Sequence, residues 1–111
     1  MGFAPLFVRE FHEEKIAEYN ARQLSRMIEK LDAFDKGAID LPHLVSSLDG
    51  LQSALEGVDA QWKNAFLKQW GVLEDVNADI LDRNLTEIPK EHARLLTSTV
   101  REIRKLIAES L

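Results

Sequence analysis

"WKNAFLKQWGVLEDVNADILDRN", residues 62–84, is the stretch whose reading decides the fold. Trp62, Phe66, Trp70, Leu73, Val76 and Ile80 recur at intervals of three and four, the period of one face of an α-helix. With Asp59 ahead of it as N-cap, the pattern predicts a helix over about 60–84. Two residues break its regularity. Gly71 sits nearly opposite the apolar stripe, and a glycine inside a helix costs about 0.5–1 kcal/mol relative to alanine. It serves either close packing within the fold or the near approach of another backbone or flat ring at the surface, and its place on the helical wheel favours the surface. Asn77 lies close to the middle of the stripe, as Asn20 does on the preceding apolar stripe of residues 16–34. A buried amide without a partner costs about 1–3 kcal/mol, so Asn20 and Asn77 are expected to pair across two helices and fix their register.

The same period extends outward in both directions. Ile16, Ala17, Leu24, Met27, Ile28, Leu31 and Phe34 predict a first helix over about 12–34, closed by "DKG" at 35–37, where Gly37 takes the left-handed C-cap position. Leu41, Leu44, Val45, Leu48, Leu51 and Leu55 predict a second over about 41–56, with Asp40 as N-cap and Pro42 in its first turn. After "NLTEIP" (84–89) a fourth helix over about 89–109 presents Leu96, Val100, Ile103 and Ile107, with Thr86 or Ile88 as cap and Pro89 inside the first turn. No stretch alternates with the period of a strand. Four amphipathic helices on short connections predict an all-α fold, a compact antiparallel four-helix bundle forming a single domain over 1–111. Phe3, Leu6, Phe7 and Phe11 are not absorbed by these stripes. They extend the first helix backwards, cap one end of the core, or join two copies in a homodimer.

The 111 residues are 45% hydrophobic and 30% charged, the balance of a globular chain and not of a disordered one. There is no Cys, which removes disulfides, thiolate metal sites and Cys nucleophiles. The opening "MGFAPLFVREFHEEK" has a short apolar stretch broken by Pro5 and no basic residue ahead of it, so it does not read as a signal peptide, and no apolar run is long enough to span a membrane. The expected location is the cytoplasm. Net charge is −5, unevenly placed: seven acids and six bases in 1–39 give −1, eight acids and two bases in 40–82 give −6, and four acids and six bases in 83–111 give +2. An acidic middle repels nucleic acid and draws a basic partner.

Little in the chain promises chemistry. His12, His43 and His92 are scattered, and "FHEEK" (11–15) departs from the H-E-x-x-H zinc pattern at Ile16. No phosphate-binding glycine loop or nucleophile elbow is present. His92 falls on the stripe of the fourth helix, where a hydrogen-bonded boundary residue is the ordinary reading. Asp75, Asp79 and Asp82 share one side of the third helix, facing water; without further oxygen donors they do not make a cation site. No enzyme activity, metal or cofactor is expected.

The stretches "AIDLPHLVSSLDGLQSALEG" (38–57) and "WKNAFLKQWGVLEDVNADILDRN" (62–84) resemble small all-helical bacterial immunity proteins of contact-dependent growth inhibition and related polymorphic toxin systems. Trp62, Phe66, Trp70, Leu73, Glu74, Ala78 and Leu81 carry the resemblance, while Asn77 stands where such sequences often have an aromatic residue. The resemblance implies an immunity protein that binds and neutralises the C-terminal domain of a cognate toxin by protein–protein interaction. A basic, nucleic-acid-targeting toxin would match the acidic middle of the chain. The expected contact residues are Asp49, Glu56, Asp75, Asp79 and Asp82, with Gly71 as the point of close approach and Trp70 as the aromatic anchor. The competing reading is a non-enzymatic homo-oligomeric bundle with a structural or regulatory role, held by the N-terminal Phe cluster.

Overall fold

A computed structural model describes the backbone of residues 3–111 and the side chains from Glu14 onward. The described residues form four α-helices and no strand: α1 (Phe3–Asp35), α2 (Leu41–Ser53), α3 (Ala60–Asp82) and α4 (Lys90–Ser110). Helix α1 begins well ahead of the expected residue 12. Pro5 falls in its first turn, where a missing N–H breaks no intrahelical bond. The side chains of Phe3, Leu6, Phe7, Phe11 and His12 lie outside the described residues. No helix among those described is long and apolar enough to cross a membrane.

The helix ends follow local chemistry. At the end of α1, Gly37 adopts φ +75°, Ala38 N–H donates to the Ala33 carbonyl at 2.8 Å and Gly37 N–H to that of Phe34 at 3.0 Å, the paired bonds of a Schellman cap. The end of α3 repeats this arrangement with Asn84 at φ +51°, one of the few side chains that tolerate that conformation. Its bonds run from Leu85 to Ile80 and from Asn84 to Leu81. Asp40 caps α2 as expected, its Oδ1 accepting from His43 N–H at 3.0 Å. Asp59 occupies the N-cap of α3 without a side-chain bond. At α4 the expectation fails: neither Thr86 nor Ile88 caps the helix, and Pro89 stands outside it in extended conformation, its carbonyl accepting from His92 and Ala93. Proline has no side-chain acceptor to offer, so Glu91 in the first turn is what complements the helix dipole.

Every helix sends its stripe to one core. Met27 and Leu31 of α1, Leu44 and Leu48 of α2, Phe66 and Leu73 of α3, and Ile103 and Ile107 of α4 are completely buried. Each helix packs on two others, in the cycle α1–α2–α3–α4 and back to α1. Helices α1 and α3 are therefore opposite one another and not neighbours, which rules out the expected pairing of Asn20 with Asn77. Asn20 instead makes a two-point bond with the backbone of Glu56, Nδ2 donating to its carbonyl at 2.6 Å and Oδ1 accepting from its N–H at 3.0 Å. Three further polar ties join neighbours. Trp62 Nε1 donates to the Leu106 carbonyl at 2.8 Å while its ring stacks on Phe66 at 5.4 Å. Trp70 Nε1 donates to the Val45 carbonyl at 2.9 Å. Arg104 forks between Asp32 (2.8 Å) and Asp35 (2.6 Å).

Candidate functional site

The acidic residues singled out in the sequence fall on α2, the segment after it, and α3, which are neighbours. Asp49, Glu56, Asp75 and Asp82 are exposed. Asp49 accepts a bond at 3.2 Å from Gln52 Nε2, and Glu56 is tied through its backbone alone, leaving its carboxylate in solvent. Among the described residues no hydrogen bond or ion pair reaches the carboxylates of Asp75 or Asp82.

Asp79 is different. It sits half-buried at the α3–α4 junction, where its Oδ2 lies 3.0 Å from Arg83 Nη1 and 2.8 Å from His92 Nε2. The same Arg83 nitrogen reaches Glu91 at 2.6 Å. Hydrogen bonds from His92 and then from Arg83 hold the Asp79 carboxyl below the usual carboxylate range, and Glu91 and Asp79 raise the Arg83 guanidinium further. Asp79 is therefore not a free member of the acidic ridge: Arg83, one turn on, pairs with its charge, and His92, across the α3–α4 connection, is bonded to the same oxygen. Ligand atoms of Asp79, Glu91 and His92 lie within 4.8 Å of one another, a spacing that a divalent cation could bridge. Arg83 Nη1, bonded to both carboxylates, holds the cationic position in that cluster.

Gly71 is half-buried, and a methyl group added there would meet no atom within 4 Å. Packing inside the fold does not demand a glycine at this position, which removes one of its two sequence readings. Trp70 is half-buried, and its indole N–H is already spent on the Val45 carbonyl. Its role visible in the structure is to fasten α3 to α2.

A cleft of about 500 Å³ opens where the end of α1, the start of α2, the last turns of α3 and the α3–α4 connection converge. Its apolar wall comes from Phe34, Ile39, Leu41, Ile80, Leu85 and Ile88. Leu81 stands beside them 59% exposed, with Ile88 at 39%. Asp40 and Glu87 are its charged residues, and no Lys or Arg lines it. Asn77 also lines the cleft, and its Oδ1 is buried with no hydrogen-bond partner. In the sequence Asn77 reads as an architectural amide, and the cleft it lines emerges only in the fold. The signal that could have found it is Leu81, apolar yet off the buried stripe of α3, followed closely by Leu85 and Ile88 in a connection that composition alone would make polar. Comparison of the chain with known protein families, with curated proteins and with solved structures finds no match in any of the three.

Proposed function

We propose that this chain is a non-enzymatic immunity protein: a cytoplasmic, stoichiometric binder that neutralises a basic toxin domain, built on an antiparallel four-helix bundle. The antiparallel arrangement is supported by the cross-ties. Asn20 meets Glu56 while Lys30 meets His43, and Trp62 meets Leu106 while Asp79 meets His92, so rising numbers on one helix face falling numbers on the next. The observation that carries the functional reading is the pair Asp75 and Asp82, exposed and without a cationic partner among the described residues, on the helix that also leaves open space over Gly71. Unneutralised carboxylates on a rigid helix raise the association rate of a cationic partner and reject an anionic one. A helix surface without a side chain lets a partner backbone come close. The resemblance of residues 38–57 and 62–84 to toxin-immunity proteins supports the same reading.

The test is co-expression with a basic toxin C-terminal domain, the candidate being one encoded beside this chain's own gene, followed by purification of the pair. Asp75→Lys combined with Asp82→Lys should keep the far-ultraviolet helical signal and weaken binding by about tenfold or more at low ionic strength, with a smaller loss at high salt. Binding that survives the double reversal at every salt concentration would reduce this face to a solvated surface.

A further inference from the structure

The acidic face supplies steering, and exposed charges contribute little affinity once contact is made. A tight complex needs an apolar anchor in a pocket, and Trp70, bonded into the fold, is poorly placed to be inserted into a partner. The protein has a receptacle instead. The cleft at the end of α3 is of the size at which proteins bind small ligands, about 300–1,000 Å³. Its wall is mostly apolar, and its accessible rim includes two branched side chains, Leu81 and Ile88, that soluble surfaces usually cover. Asn77 adds a polar element of a particular kind. Neither end of its amide makes a hydrogen bond among the described residues, and its oxygen is shut away from water. An amide carries one acceptor and two donors, so both of its ends are satisfied at once by the N–H and C=O of a single extended residue, which point the same way, as Asn20 is by Glu56. The Cβ–Cγ torsion of Asn has broad wells, so its oxygen can turn toward an incoming N–H at small cost. The charged residues that line the cleft, Asp40 and Glu87, are both acidic.

We propose that the cleft is the anchor site for a short extended segment of a basic protein, which seats a branched aliphatic side chain against Ile80, Leu85 and Ile88, pairs the N–H and C=O of one residue with the Asn77 amide, and presents a neighbouring Lys or Arg to Asp40 and Glu87. The proposal deepens the immunity reading and rests on it for the identity of the partner, but the recognition chemistry is testable without any toxin.

The experiment is a titration of the uniformly ¹⁵N-labelled chain, followed by amide chemical shifts, with three capped dipeptides: acetyl-Leu-Arg-amide, acetyl-Leu-Glu-amide and acetyl-Gly-Arg-amide. The first should bind with a dissociation constant in the millimolar range, moving the amides of residues 39–41, 77–81 and 85–88. Removing the isobutyl group should weaken binding about tenfold or more, the scale expected for burying a Leu side chain. Exchanging Arg for Glu should weaken it severalfold at low salt and little at high salt. Asn77→Leu, which keeps the side-chain size and removes the amide, should lower affinity for acetyl-Leu-Arg-amide severalfold while the fold remains intact. Leu81→Lys, at an exposed position, provides a second variant that should abolish binding by placing a like charge at the mouth. Shifts that are absent, that are equal for the Leu and Gly probes, or that are unchanged by Asn77→Leu would overturn the proposal. So would shifts of the same residues on raising protein concentration without probe, because the occupant would then be a second copy of the chain. Failure of the toxin domain to co-purify, with these titrations as expected, would overturn the immunity reading and leave the peptide site standing.

Discussion

Asn77→Leu is expected to stabilise the fold, although it alters a residue on the face that α3 turns inward. A buried amide oxygen without a partner costs about 1–3 kcal/mol, and Leu removes that cost. Within a helix Leu also exceeds Asn in propensity by roughly 0.5 kcal/mol. The expected gain is therefore about 1.5–3.5 kcal/mol, or a rise in Tm of roughly 6–14 °C for a chain of this size. Asn20→Leu should do the opposite. It breaks two bonds to Glu56, at 2.6 and 3.0 Å, and because that site is wet the loss should be near the low end of the usual range, about 1 kcal/mol in total. The two residues sit on helices that do not touch, so the double variant should be the sum of the singles to within about 0.5 kcal/mol. Urea unfolding of the four proteins, followed by circular dichroism, measures the whole cycle. If Asn77→Leu destabilised by more than about 1 kcal/mol, or the pair coupled by as much, the two amides would be bonded to each other after all and the cycle of helix contacts would be wrong. If the stability gain appears together with the loss of dipeptide affinity, Asn77 is a position where the chain gives up stability for recognition.

Two further outcomes follow from the geometry. Gly71→Ala should raise stability by about 0.5–1 kcal/mol in urea unfolding, because the added methyl meets nothing and the helix gains propensity; destabilisation would mean that the space over Gly71 is filled by the protein itself. The same variant should weaken the toxin complex if the partner's backbone approaches at that point. Asp79 titrates below its usual value in the folded state, so its contribution to stability is complete above the ordinary carboxylate pKa of about 3.9 and is lost as pH falls through the lowered folded value. The stability difference between the wild type and Asp79→Asn should accordingly shrink as pH falls below about 4; a difference independent of pH from there down to 2 would show that Arg83 and His92 do not hold that carboxylate.

What residues could reveal on their own was whatever is local. The stripes of three-and-four spacing name every buried apolar side chain of α2, α3 and α4, and miss the buried polar Gln52 and Thr99, because burial of one helical face follows from the pitch of the helix. Asp40 and Gly37 announced their caps for the same reason: a cap is a bond between near neighbours in the chain. The acidic excess of residues 40–82 was likewise present in the composition. Where a polar side chain finds its partner is not local. The sequence offered Asn20 and Asn77 as equivalent amides on inward faces, and the cyclic order of the helices put one beside Glu56 and left the other with no partner. It offered Asp75, Asp79 and Asp82 as one ridge, and the approach of α4 brought His92 to the middle one while its own helix supplied Arg83. The cleft exists only because two stretches distant in sequence, 34–42 and 77–88, come together at one place. A helical period fixes which direction a side chain faces, whereas the neighbour it meets there, and the hollow left between neighbours, are set by the packing of helices against one another.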